Sequence, residues 1–139
     1  MILNPADVKI MNKDPVPLKA VHHVEFWVGN AKQAAYFYRK AFGFNQVAYS
    51  GLETGNRDRA SYVLEQGKIR MMFSTPLNSD NEISEHIKVH GDGVKDIAFH
   101  VDDAKACYEA CIARGATSAA EPEVITDENG SITKASIYT

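Results

Sequence analysis

The chain has 139 residues, 45% of them hydrophobic and 24% charged, with 15 Lys/Arg against 18 Asp/Glu and a formal net charge of −3. This composition excludes a disordered chain, and an acidic balance without a Lys/Arg stripe excludes a nucleic-acid partner. The apolar runs are too short for a membrane span or a signal-peptide core, and two cysteines are too few for a disulfide framework, so the expected compartment is cytoplasmic.

Residues 1–18 carry Asn4-Pro5 and the pair Pro15 and Pro17, which block helix and sheet continuation, so they read as an arm with the ordered fold starting near Lys19. Residues 22–28 (HHVEFWV) form a β-rich run. Asn30 then stands as a helix N-cap. Ala31, Ala34, Ala35, Tyr38, Ala41 and Phe42 follow at helical spacing, and Gly43 ends the helix. Residues 46–50 make a second strand and residues 51–59 (GLETGNRDR) a polar loop. Two strands, 60–66 and 68–74, are joined tightly at Gln66-Gly67. In the second, Ile69, Met71 and Phe73 alternate with Lys68, Arg70 and Met72, the pattern of a half-buried strand. Residues 81–89 (NEISEHIKV) read as a short helix with Ile83 and Ile87 four apart, and residues 90–93 as a hinge. Residues 94–101 form a strand. Asp103 caps a second amphipathic helix through Ala104, Cys107, Tyr108, Cys111 and Ile112, stopped by Gly115. Strands at 123–126 and 131–138 flank the DENG turn at 127–130.

Residues 23–32 laid over 96–105 put His23 on Asp96, Phe26 on Phe99, Val28 on Val101 and Ala31-Lys32 on Ala104-Lys105, with Gly43 and Gly115 one residue out of register. A strand, capped helix and glycine stop recurring in order mark a duplicated βαβββ unit. The expected fold is therefore α+β, with tandem βαβββ modules: an arm at 1–18, a first module at 19–78, a connector at 79–93 and a second module at 94–139. The second copy stops at the position of Gln66, short of a fourth strand. An open sheet edge invites pairing, so the expectation is a fragment, or a chain whose sheet another segment completes.

Three strings carry a resemblance: residues 22–44 (HHVEFWVGNAKQAAYFYRKAFGF), 51–77 (GLETGNRDRASYVLEQGKIRMMFSTPL) and 90–104 (HGDGVKDIAFHVDDA). The duplicated unit resembles the vicinal oxygen chelate superfamily, which includes glyoxalase I, ring-cleaving dioxygenases and bleomycin-resistance proteins. The strings, in order, resemble the N-terminal half of the 4-hydroxyphenylpyruvate dioxygenase family from about Leu18 to Thr139. The resemblance implies a non-heme Fe(II) enzyme of tyrosine catabolism that turns 4-hydroxyphenylpyruvate and O2 into homogentisate and CO2. It implies that the iron is bound by two His and one Glu of a C-terminal catalytic half, which would be this segment's partner in the same chain. It also implies a 2-oxo acid substrate, and the expected assembly is a homo-oligomer. This segment is expected to supply no catalytic residue and to be inactive alone.

Iron of that type needs two imidazoles and a carboxylate on one face. The superfamily draws metal ligands from the first and fourth strands of a module. His23 and its counterpart Asp96 hold the first-strand positions and are weak candidates. The fourth strand of copy one (KIRMMFS) offers neither imidazole nor carboxylate, so no metal or cofactor site is expected in this segment. His22 and His23 are neighbours on a strand and are expected on opposite faces. His100 is expected to pack among its strand neighbours, and His86 and His90 to be solvated in a connector. Cys107 and Cys111, four apart on an apolar helix face, read as packing residues, since a disulfide across one turn is poor geometry. Arg57, Asp58 and Arg59 offer an anion site for a keto-acid carboxylate or, more blandly, a solvated loop or domain contact. Phe26 and Trp27 face opposite sides of their strand. The alternative functions are the same half of 4-hydroxymandelate synthase, a stand-alone glyoxalase-like metal enzyme, and a metal-free small-molecule binding module.

Overall fold

A computed structural model describes residues 16–128 and 130–139. The arm expected at residues 1–18 lies largely outside the described residues, as does Asn129 of the expected turn. Two compact units are present. One holds Val21–Phe99; the other holds His100–Thr139 with the described residues before Val21.

Apart from the end residues Ala20 and His100, the first unit contains β1 (Ala20–Trp27), α1 (Ala31–Phe42), β2 (Asn45–Ser50), β3 (Arg59–Gln66), β4 (Ile69–Pro76), α2 (Glu82–His90) and β5 (Gly93–His100). The five strands make one sheet in the order β2-β3-β4-β1-β5. β2–β3 and β3–β4 are antiparallel, whereas β1 runs parallel to β4, with Phe26 opposite Phe73 and Trp27 opposite Ser74. The β-α-β-β-β order of the repeat is thus realised in the first module.

Local chemistry sets each boundary of α1. The Asn30 side chain accepts from the Gln33 N–H, satisfying a donor that the first helical turn leaves open. At the other end Gly43 takes φ +78, and its N–H and that of Phe44 both reach the Tyr38 carbonyl. The helix lays Ala31 and Ala35 on the sheet, where Val28, Phe44, Leu64 and Phe73 close the core. The two alanines let the helix approach closely. Phe73 is stacked between Phe26, 5.2 Å away, and Tyr38, 5.0 Å away. Ile69, expected on the buried face with Met71 and Phe73, is exposed instead, because it pairs with Gln66 at the mouth of the turn, beyond the end of the core.

Two expected elements moved by a residue or so. Asn81 is the cap of α2 rather than its first residue and accepts from the Ile83 and Ser84 N–H groups; Ile83 beneath it is fully buried. Arg59, expected in the loop, opens β3, and the remaining loop contains a short 3₁₀ turn at Leu52–Thr54.

The second unit contains α3 (Ala104–Ala113), β6 (Thr117–Asp127) and β7 (Gly130–Tyr138). Asp103 caps α3 through the Ala106 N–H, and Gly115 follows its end at φ +97. β6 and β7 form a two-stranded antiparallel sheet, with α3 packed on it and the Tyr108 hydroxyl bonded to Ser118 Oγ at 2.7 Å. β6 is longer than expected because the pairing slips between Ala120 and Glu123, and Pro122, which has no N–H to give, sits in that irregularity. Every fully buried residue among those described belongs to the first unit. Val124, Ile125, Ile132 and Tyr138 of the second are exposed.

Candidate functional site

Alternation along β1 and β4 sorts their side chains between two faces. Phe26 and Phe73 join the core beneath α1, so Glu25 and Ser74 lie on the opposite face. There Ser74 is fully buried and Ser61 nearly so. The Ser74 hydroxyl donates to Glu25 Oε1 at 2.8 Å, and Ser61 Oγ lies 2.8 Å from Ser74 Oγ. Since Ser74 spends its proton on Glu25, Ser61 is the donor to Ser74. The result is a directed relay from β3 through β4 to β1. Losing one member strands a buried hydroxyl, at about 1–3 kcal/mol.

A second polar run crosses the same three strands nearer the start of β1. Glu65 on β3 pairs with the Arg70 guanidinium on β4. Arg70 NH1 lies 2.7 Å from His22 Nε2, and His22 Nδ1 lies 2.8 Å from His23 Nδ1. This corrects the expectation that the two histidines part to opposite faces. Alternation governs where Cβ points, but both rings rotate toward each other at the exposed start of the strand, with centroids 5.1 Å apart.

The other expected site residues fall as follows. His23 is half-buried and Asp96 exposed. Among the described residues no three His, Cys, Asp or Glu side chains stand together as a metal-holding group, and the charged residue that β4 brings to the histidines is a cation. A two-His-one-carboxylate iron site does not fit these residues. Arg59 forms an ion pair with Glu82 at 3.2 Å, the Asp58 carbonyl accepts from Asn81 Nδ2, and the Asp58 N–H goes to Asn56 Oδ1. The Arg57–Asp58–Arg59 group is therefore tied to the α2 cap, with Arg57 exposed, and is not gathered into an anion site. His86 departs from the solvated connector expected of it. It is half-buried on α2 with its ring edge-on to Trp27 at 5.3 Å, while the exposed His90 ring stands 5.0 Å from that of His86. Trp27 is buried, with Lys95 Nζ 4.7 Å over its ring, and its indole N–H meets no acceptor among the described residues. His100 is exposed, its carbonyl accepting from the Lys19 N–H, and Cys107 and Cys111 are half-buried on α3.

One titratable pair escaped the sequence reading. Tyr49 donates to Glu53 Oε2 at 2.6 Å. That bond, with burial and the Glu53 charge behind it, pushes the phenol up to about 12. The same bond leads in holding the Glu53 carboxyl below the usual range. A hollow of about 250 Å³ lies near the end of α1, lined by Arg39, Lys40, Phe44, Asn45 and Gln46. It carries cations and amides but no carboxylate, thiol or imidazole, so it offers no acid–base pair.

Comparison with known proteins agrees with this architecture. The chain is 50% identical over 121 residues to 4-hydroxyphenylpyruvate dioxygenase of Dictyostelium discoideum, covering 86% of this chain and 33% of that protein. It is 48% identical over 119 residues to the enzyme of the same name from Xenopus tropicalis, covering 85% and 30%. It thus spans about a third of the length of these curated relatives. A triple mutant of 4-hydroxymandelate synthase from Streptomyces coelicolor superposes with TM-score 0.81 at 26% identity, over 87% of this chain and 35% of that one. Methylmalonyl-CoA epimerase in complex with methylmalonyl-CoA shares the fold alone, with TM-score 0.66 at 20% identity over 84% of each chain. The Glyoxalase/Bleomycin resistance protein/Dioxygenase superfamily matches residues 22–133, across both units, and with its βαβββ module and its parallel β1–β4 seam the chain belongs to that superfamily.

Proposed function

We propose that this chain is the N-terminal, non-catalytic part of a non-heme Fe(II) 4-hydroxyphenylpyruvate dioxygenase. The whole protein converts 4-hydroxyphenylpyruvate and O2 to homogentisate and CO2 in the cytoplasm. The observation that carries the reading is the identity of 42–50% to dioxygenases over about 85% of this chain and about a third of theirs. On this reading the iron is held by the C-terminal catalytic half. The role left to the segment is structural, and its surface suits that role. α1 exposes Tyr36, Phe37 and Phe42, and the second unit exposes the apolar residues of β6 and β7. Apolar patches of this kind mark contacts with other protein surfaces: here the catalytic half and a second subunit of a homo-oligomer. On this reading the modules run 19–78 and 94–139, with 79–93 as connector.

The TM-score of 0.81 to the mandelate synthase favours one second reading, the same half of an enzyme that hydroxylates the benzylic carbon of the same substrate. The test is a graft in which this chain replaces the matching third of the Dictyostelium enzyme. The chain alone, given Fe(II) and 4-hydroxyphenylpyruvate, is expected to consume no oxygen, and the graft is expected to make homogentisate. Iron-dependent turnover by the chain alone, abolished by His23→Ala, would overturn the proposal in favour of a glyoxalase-like metal enzyme.

A further inference from the structure

Of the side chains in the Glu65–Arg70–His22–His23 run, Arg70 has the one role that never changes. A guanidinium stays charged at every accessible pH and only donates. Its NH1 is 2.7 Å from His22 Nε2, so that nitrogen accepts and carries no proton. A neutral imidazole keeps one N–H, which in His22 then sits on Nδ1. His22 Nδ1 and His23 Nδ1 are 2.8 Å apart, so His22 donates, His23 accepts, and the remaining proton of His23 is on Nε2. The bonds run head to tail from Arg70 to His22 to His23, with the Glu65 carboxylate balancing the guanidinium on its other side.

We infer that Arg70 is a built-in cation that fixes both imidazole tautomers and closes the histidine pair of β1 to metal ions. A divalent metal needs an imidazole lone pair. In His23 the Nδ1 lone pair is taken by His22, and Nε2 is protonated. To free Nε2, His23 must move its proton to Nδ1, and His22 must then accept there and protonate Nε2. That places two donors face to face at the Arg70 contact. A metal ion would also bring a second positive charge beside the first. Nothing in this relay depends on which reaction the whole protein performs.

Long-range ¹H–¹⁵N correlation spectra of the chain, recorded well above the ordinary histidine pKa of about 6.5, read the tautomers directly. The expected result is His22 in the Nδ1–H form and His23 in the Nε2–H form, with both rings' ¹⁵N shifts unmoved by added Zn²⁺. In Arg70→Met the constraint on His22 is gone. Its Nε2–H form should then appear, and Zn²⁺ should shift both rings. An Nε2–H tautomer of His22 in the parent chain, or a Zn²⁺-induced shift of the His23 ring in the parent, would overturn the inference. Both parent measurements decide it even if Arg70→Met does not fold.

Discussion

At Gly51 a side chain would do damage without any backbone strain. Its φ of 177° is extended and open to any residue, but a Cβ there would lie 2.0 Å from the Tyr49 hydroxyl. Gly51→Ala should therefore swing the Tyr49 ring away and break its bond to Glu53. The phenol, now pushed up to about 12, should fall back toward 10.0, as followed by ultraviolet titration of the phenolate. The sign of the linked stability follows from the directions of the two shifts. Tyr49 is raised when folded, so its contribution is complete below pH 10 and is lost as pH climbs toward 12. Glu53 is lowered, so its contribution is present above the ordinary carboxylate range and is lost as pH falls through the folded value. Urea-unfolding midpoints measured against pH should show the alkaline loss in the parent and not in Tyr49→Phe. None of this was readable from the sequence: Tyr49 sits in a strand and Glu53 in a 3₁₀ turn, and only the geometry of the intervening Gly51 brings them together. The Arg70–His22 contact was hidden for a like reason. It spans β4 and β1, and its existence depends on a register that alternation alone does not supply.

Elements were more legible than contacts because their signals are local. Asn30, Asp103 and Gly43 punctuate α1 and α3 where capping chemistry requires. β6 was underestimated because a proline normally ends a strand, whereas here an irregular stretch of pairing absorbs Pro122. β7 raises the sharpest question at this scale. Among the described residues it pairs with β6 alone, and Ile132 and Tyr138 are exposed. In the first module β3, its counterpart, is paired on both sides, by β2 and by β4. Alternate amides of β7 therefore point away from β6, and in dilute solution they should exchange with solvent much faster than those facing it. Adding a strand that pairs along that edge should protect them. Uniform protection of Gly130–Tyr138 in a monomeric chain would show that the edge is already covered, and the reading of β7 as a strand awaiting a neighbour would fail.

For the molecule as a whole, the repeat predicted both the order of elements and their class, because a duplicated unit writes the same pattern twice. What it did not show is how unequally the two copies are filled. Phe26 packs in the core, while Phe99, its counterpart, is half exposed. The parallel seam between β1 and β4 has a consequence for how the chain finds its structure. β3 and β4 meet across two residues, Gly67 and Lys68, with Gly67 at φ +58 in the first central position, as a type II′ hairpin demands. Such a hairpin closes in about 1–10 μs. β1 cannot join β4 until the whole of α1, β2 and β3 has been looped out between them, and closure entropy opposes that step. The β2-β3-β4 meander should therefore assemble first and β1 zip on later, carrying α1 with it. Stopped-flow measurements should find that Gly67→Val mainly slows folding. Ser74→Ala, which cuts the bond from β4 to Glu25 on β1, should mainly quicken unfolding. The strand that bears both histidines then joins its sheet only after the meander has formed, and parts from it before the meander opens.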